Sequence, residues 1–167
     1  MSAEPTPPHY DAHVGDERGM LTGFLDANRR EVCRRLDRLD RAAASAVATS
    51  TGVTVLNLVQ HLTWCEHAWF EHHFLGEEWC GIDDDRSFDL EPDDTVESVL
   101  ARYRAKCDRS REIVAAAPLD ALSAEPHFFF GTVELRWVLM HMIEETARHV
   151  GHQDILREET DGTTGMW

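Results

Sequence analysis

The sequence has little of what disulfide-rich, zinc-finger or membrane proteins require. It holds four cysteines in 167 residues, at positions 33, 65, 80 and 107, and no two of them form a CxxC pair. This spacing excludes a zinc-finger motif, and we expect reduced thiols that mostly pack in the interior. No apolar run approaches the roughly 20 residues of a membrane span, and the N-terminus lacks the pattern of a signal peptide. We therefore expect a soluble, cytoplasmic protein.

Positive charge is also scarce. The chain carries 16 basic against 31 acidic side chains, which gives a formal charge of −15 at pH 7, and Lys106 is its single lysine. A surface of this kind repels a phosphate backbone and an anionic bilayer. We therefore expect neither nucleic acid nor a membrane as a partner.

Proline and small polar residues separate a terminal arm from the rest of the chain. A chain of 167 residues is long enough to bury a core without help from disulfides or a metal. Residues 1–16, MSAEPTPPHYDAHVGD, are rich in proline and show no periodicity. We predict an irregular N-terminal arm over 1–16 and one folded domain over 17–167.

Apolar residues recur every three or four positions in four segments, a spacing that predicts amphipathic helices. With their cap residues, these helices should cover about 16–40, 54–76, 94–118 and 132–162. No segment alternates with period two for long enough to predict a strand, although EPHFFFGTV could form a short extended piece. We predict an all-α four-helix bundle. The long connection GEEWCGIDDDRSFDLEPD, between helices two and three, should cross the end of that bundle.

The segment HMIEETARHVGH, residues 141–152, brings three histidines and two glutamates into the fourth helix. At about 100° per residue, with Glu145 at the origin, His141 falls near −40°, His149 near +40° and His152 near −20°. These side chains lie at the edge of the apolar stripe that faces inward. An unpaired carboxylate there costs several kcal/mol by the usual estimates, so a cation or a donor should face Glu145.

His61, on the second helix, is the matching group. It shares the apolar stripe of its helix with Leu58 and Trp69. Glu145 and His149, four residues apart, project side by side, and one histidine from a facing helix completes a three-ligand site. Two imidazoles and one carboxylate leave one coordination position open, as in catalytic zinc sites.

Other interpretations of the second helix stay open. A single histidine on an apolar face is more often a hydrogen-bonded core residue than a ligand. Cys65, four residues after His61, is either a further ligand or a packed thiol. The remaining histidines of this helix are candidates for the surface: His67, His72 and His73.

The fourth helix leaves alternatives as well. Glu145 could be the buried partner of an arginine on its own helix, rather than a metal ligand. Spacing equally allows His141 with Glu145, or His149 with His152, to be the paired ligands. Sequence geometry alone does not choose among these pairs.

Two segments in combination resemble the actinobacterial branch of the DinB/YfiT-like superfamily. They are TVLNLVQHLTWCEHAWFEHHFLGE and ELRWVLMHMIEETARHVGHQDILREETDGTTG, and the helix-one segment ERGMLTGFLDANRREV fits the same pattern. The resemblance covers nearly everything after residue 16. It implies that the four-helix bundle has up-down-down-up topology.

The resemblance also implies a site for a divalent metal, with zinc expected first and nickel or iron as alternatives. Its ligands carry over as His61 of the QHL motif, His149 before the glycine of the HxG motif, and Glu145 four residues earlier. Many relatives have histidine at this last position, whereas mycothiol-dependent maleylpyruvate isomerase uses glutamate. His152 replaces the glutamine that usually follows the glycine. His152 and His141 are therefore the candidates for catalytic or proton-relaying groups.

Thiol transfer is the chemistry that the family suggests. An open metal position can bind a low-molecular-weight thiol, stabilise its thiolate near neutral pH and direct it at an electrophile. The resemblance therefore implies a metal-dependent mycothiol S-transferase that acts on small electrophiles, with Trp64 and Trp69 at the mouth of the site and a homodimer left open. A metal-dependent hydrolase and a non-catalytic metal or small-molecule binding module are the alternatives.

Overall fold

The computed structural model describes residues 15–164, and this part of the chain is helical. Its helices are α1 (Glu17–Arg34), the single turn α2 (Arg41–Ala44), α3 (Val55–Glu66), α4 (Val96–Ala116) and α5 (Leu135–Asp161). Isolated β-bridges occur, but no strand forms between residues 15 and 164. The all-α prediction is confirmed. Most of the predicted arm, residues 1–14, lies outside the described residues.

Threonine caps determine where two of the long helices begin. The Thr54 hydroxyl accepts a hydrogen bond from the Asn57 backbone N–H (3.1 Å), and the Asn57 side chain accepts one from the Thr54 N–H (2.7 Å). Thr95 and Ser98 make the same reciprocal pair at the start of α4, at 3.1 and 3.0 Å. Such a capping box satisfies two backbone donors that the helix leaves unpaired. Thr54 lies at the predicted start of its helix, and Thr95 lies one residue after the predicted start of the next.

The first helix is shorter than the predicted 16–40. It begins after Asp16, whose carboxylate caps Gly19 N at 2.7 Å, and it ends at Arg34. The chain then turns through Arg38, which has φ 63°, before Asp40 caps α2. A non-glycine residue in the left-handed region does not continue an α-helix. The prediction of one helix up to residue 40 is therefore wrong in its last turn.

The second predicted helix changes type in its middle. After Glu66, α3 continues as a π-helix over His67–Phe74, where the sequence predicted an ordinary α-helix. π-helices are rare and occur frequently at functional sites. The helical segment ends where it was predicted to end, at Gly76, whose φ of 76° favours glycine.

The helices pack so that α3 and α5 face each other. α1 lies against α5, while α3 contacts both α4 and α5. These contacts bury two apolar clusters, one at each end of α3. The packing brings the candidate ligands of the second and fourth predicted helices to the same interface. Within residues 15–164, no helix is both long enough and apolar enough to cross a membrane.

The long connection between the π-helix and α4 folds back against α3. It contains one turn of 3-10 helix, Asp84–Arg86. Directly after this turn, Ser87 and Phe88 contact His61. The segment that was predicted to cross the end of the bundle therefore also closes one side of the candidate site.

The segment before α5 forms a tight loop. His127 and Gly131 exchange two backbone hydrogen bonds, of 2.9 and 2.7 Å, across an isolated β-bridge. The predicted extended piece is thus a pair of bridged residues rather than a strand. α5 itself begins at Leu135, three residues after the predicted start at Thr132.

Candidate metal centre

Glu145 lies at the centre of the α3–α5 interface, within reach of two imidazoles. Its Oε1 atom is 3.0 Å from His149 Nε2 on the same helix and 3.5 Å from His61 Nε2 on α3. The His61 and His149 rings lie 4.9 Å apart between centroids, at an angle of 76°. The structure thus brings together the three residues that the sequence predicted as metal ligands. Their role as ligands stays a prediction.

The orientation of His61 is set by the connection between α3 and α4. The Ser87 hydroxyl donates to the Asp84 carbonyl oxygen at 2.5 Å, so its oxygen is left to accept a hydrogen bond from His61 Nδ1–H at 2.7 Å. A neutral histidine that donates through Nδ1 carries its lone pair on Nε2. Phe88 stacks on the ring at 4.2 Å and 2°. His61 is therefore held with a free electron pair directed at Glu145.

Glu145 is an ionised carboxylate in this setting. Hydrogen bonding with His149 lowers the pKa of Glu145 well below its usual value and outweighs the opposing effect of burial. Its side chain is 19 % exposed. The carboxylate oxygen and the His61 lone pair are two electron donors 3.5 Å apart. A divalent cation between them satisfies both, so the residues present fit a metal.

The interpretation of Glu145 as the partner of an arginine does not hold. Arg136 pairs with Glu17 and Glu134 instead. Arg148 pairs with Glu144 on the exposed side of α5. Arg136 and Arg148 therefore have other acids as partners, which leaves Glu145 to the histidines.

Cys65 belongs to the same cluster. Its Sγ atom is 3.4 Å from His61 Nε2, and the ligand atoms of His61, Cys65 and Glu145 all lie within 4.8 Å of one another. All four cysteines are free, and Cys65 is buried. Burial raises the pKa of the Cys65 thiol well above its usual value, and the Glu145 charge raises it further. Without a metal, the neutral thiol is placed to donate to His61 Nε2.

The ring of His149 is held by fewer hydrogen bonds than the ring of His61. Its Nδ1 atom is buried and has no hydrogen-bond partner among residues 15–164. It also lies outside the compact group of His61, Cys65 and Glu145. Two ligand sets therefore share His61 and Glu145, and they differ in whether His149 or Cys65 is the third member.

His141 and His152, the two candidate relay residues, lie in different surroundings. His141 is half-buried in an aromatic cluster, 4.3 Å from Trp69 and stacked on Trp137 at 5.2 Å. Burial lowers the pKa of His141 from its ordinary value. His152 is exposed, and its ring centre lies 5.5 Å from that of His149. His152 was expected at the edge of the inward-facing stripe, and it lies on the exposed side of that edge, whereas its neighbour Gln153 is buried.

The two tryptophans predicted at the mouth of the site have separate positions. Trp64 is half-buried, lies 5.9 Å from the His61 ring, and donates to the Ile82 carbonyl oxygen at 2.9 Å. Trp69 is only 7 % exposed and packs in the aromatic cluster around His141. Trp64 is thus the tryptophan that borders His61.

Sequence reasoning missed Ser87 and Phe88, which hold His61 from the far side. Both follow an acidic run, in a connection without periodicity. Nothing in the local pattern shows that this loop returns to α3. The contact between Ser87 and His61 can be recognised only from the fold.

Comparison with known proteins agrees with this geometry. Curated proteins gave no match to the chain. A family model described as mycothiol S-transferase matches residues 20–162, which include all the candidate ligands. The match extends from the first turn of α1 to the end of α5. The chain belongs to the mycothiol S-transferase family, within the DinB/YfiT-like superfamily.

Proposed function

We propose that the protein is a metal-dependent S-transferase that joins mycothiol to small electrophiles, built on an up-down-down-up four-helix bundle. The observation that carries this proposal is the ionised Glu145 between two imidazoles from two helices, in a chain of the mycothiol S-transferase family. A partly buried carboxylate with no arginine or lysine among its described ion pairs favours a bound cation. His61, Glu145 and His149 are the proposed ligands.

The ligand set favours zinc, with nickel and iron as the other candidates. Imidazole nitrogen and carboxylate oxygen are both common zinc ligands, and three protein ligands leave room for a fourth group. When bound, the cation supplies Lewis acidity that stabilises a thiolate near neutral pH. Glu145 offsets one unit of the cation's charge, and the Ser87 hydrogen bond holds His61 in the tautomer that presents Nε2.

The proposed reaction is a balanced substitution. The mycothiol sulfur forms a bond to carbon of the electrophile, and the leaving group departs with the electron pair of the bond that breaks. The thiol proton passes to solvent. His152, exposed beside His149, is positioned to take part in this transfer. A cytoplasmic location belongs to the same proposal, because the thiol co-substrate must be reduced.

The test is a conjugation assay with mycothiol and an alkyl or aryl halide, run on protein loaded with zinc and on protein stripped of metal. Metal removal and His61→Ala should each lower the rate of thioether formation at least 100-fold, by loss of the site. Glu144→Ala, on the exposed side of α5, should leave the rate unchanged.

Three outcomes would contradict the proposal. A rate that persists after metal removal excludes a metal-dependent mechanism. Turnover of esters or amides without any thiol would instead indicate a hydrolase. Metal binding with neither activity would indicate a binding module.

A further inference from the structure

Cys65 is placed where a further ligand of the proposed cation would lie. It follows His61 by one helical turn on α3, it is 2 % exposed, and its Sγ atom is 3.4 Å from His61 Nε2. We propose that Cys65 coordinates the cation held by His61 and Glu145, and so occupies the position that the substrate thiol must take. This inference rests on the proposed function, which needs a thiol at that position.

The separation of the two atoms agrees with shared coordination. With zinc–sulfur and zinc–nitrogen bonds of about 2.3 and 2.05 Å in a tetrahedral site, the sulfur and nitrogen atoms lie about 3.5 Å apart. The observed Sγ–Nε2 distance is 3.4 Å. The observed Nε2–Oε1 distance between His61 and Glu145 is 3.5 Å, close to the roughly 3.3 Å of two such ligands. Two of the three ligand pairs therefore have separations close to those of shared coordination, and the third pair, Cys65 and Glu145, lies within 4.8 Å.

The other buried thiol provides a contrast within the same protein. Cys107 lies 3.7 Å from Glu66, a carboxylate that already has an arginine and a serine as partners. Cys65 instead faces His61 and Glu145, and within residues 15–164 the ion pairs of Glu145 are with histidines and not with arginine or lysine. Of the two buried cysteines, only Cys65 is in a setting suited to a metal.

Coordination by Cys65 makes the resting site closed. The ligand atoms of His61, Cys65 and Glu145 lie within 4.8 Å of one another, and His149, which lies outside this group, would have to move toward it to complete the four ligands of a tetrahedral zinc site. Mycothiol must then displace Cys65. The exchange conserves protons, because the incoming thiol gives up its proton and Cys65 takes one. Cys65 would thus act as an internal competitor of the co-substrate.

The test uses cobalt in place of zinc, because a thiolate bound to cobalt(II) gives a strong charge-transfer band in the near ultraviolet. Wild-type protein with one cobalt per chain should show this band without any added thiol. Cys65→Ser and Cys65→Ala should both lose it and bind zinc at least tenfold more weakly. Cys80→Ser, at an exposed cysteine, should keep the band and the affinity. Circular dichroism checks that each variant is folded.

Adding mycothiol to cobalt-loaded Cys65→Ala should restore the band, because the substrate thiol enters the vacated position. Failure to restore it would overturn the competition between Cys65 and mycothiol. A wild-type protein that holds one cobalt but shows no band would overturn coordination by Cys65, while the site of His61, Glu145 and His149 would stand. A protein that binds no cobalt or zinc would overturn both this inference and the proposed function.

Discussion

Glu66 and Glu145 are two carboxylates in the packed part of the protein, and their surroundings differ. Glu66, on α3, is 0 % exposed and accepts hydrogen bonds from Arg29 Nε (2.8 Å), Arg29 Nη2 (2.6 Å) and the Ser110 hydroxyl (2.6 Å). Glu145, on α5, meets the imidazole nitrogens of His61 and His149, which carry a charge only when they are protonated. Glu66 is thus neutralised by a fixed charge, whereas Glu145 is not.

The difference separates a structural carboxylate from a binding one. A buried ion pair whose hydrogen bonds are satisfied within the protein has no further need of a ligand. A carboxylate whose described partners are histidines has acceptor capacity left for a proton, a water molecule or a cation. Cys65 and Glu66 are adjacent in sequence, but the Cys65 thiol lies beside His61 of the candidate site, whereas the Glu66 carboxylate pairs with Arg29. The contrast predicts that removing Glu66 mainly lowers stability, whereas removing Glu145 mainly weakens metal binding.

The largest expected effect is on stability, at Glu66. Glu66→Ala leaves the buried Arg29 guanidinium with Asp26 as its one remaining acidic partner within residues 15–164, and should lower the free energy of unfolding by about 3–5 kcal/mol. Glu145→Ala in metal-free protein removes one hydrogen bond at a partly exposed position and should cost about 1 kcal/mol. Urea denaturation of both variants measures the difference.

A double variant is the control for this prediction. Glu66→Leu combined with Arg29→Met removes both charges and should recover part of the loss, because no unpaired charge is left buried. Equal losses for Glu66→Ala and Glu145→Ala would show that the two carboxylates have the same role, which would contradict the contrast between them.

Asp94 is a buried carboxylate whose arginine partner is partly exposed, and its removal should lower stability less than the removal of Glu66. Hydrogen bonds from Arg102 lower the pKa of Asp94 from 3.8 to about 2. Arg102 is 41 % exposed, so solvent weakens the pair, and Asp94→Asn should cost about 1–2 kcal/mol at pH 7.

The pH dependence follows from the direction of that shift. Because the folded-state pKa lies below the unfolded one, the stabilisation by Asp94 is complete above about pH 4 and is lost as the pH falls through about 2. The difference between wild type and Asp94→Asn, measured by urea denaturation, should therefore shrink below pH 4. A difference that stays constant down to pH 2 would show that the carboxylate charge is not the cause.

Much of the helical fold could be predicted from the sequence, because the patterns that indicate helices involve residues close together in the chain. Apolar residues at three- and four-residue spacing indicated the long helices, and Thr54, Thr95 and Gly162 mark their ends in the structure. The same spacing placed Glu145 beside His149, and the inward stripe placed His61 opposite them. The pattern of the two helices also allowed His141 or His152 in this set, and the family resemblance selected Glu145 with His149.

The remaining features depend on contacts between distant parts of the chain. Ser87 reaches His61 across 26 residues, and Arg29 reaches Glu66 across 37; neither pairing is encoded in local periodicity. The angle of His152 on an ideal helix placed it at the edge of the inward-facing stripe. The helices that pack against α5, rather than the apolar stripe alone, determine its buried face, and they leave His152 exposed.

Calorimetric titration of metal-free protein with zinc tests the central claim most directly. Wild type should bind about one zinc per chain, Glu145→Ala should bind it about 100-fold more weakly, and Glu145→His should retain it, because imidazole is also a zinc ligand. Glu144→Ala removes only an exposed ion pair with Arg148 and should leave the affinity unchanged. If Glu144→Ala weakens zinc binding as much as Glu145→Ala does, or if Glu145→Ala binds zinc like the wild type, Glu145 is not the carboxylate that holds the metal.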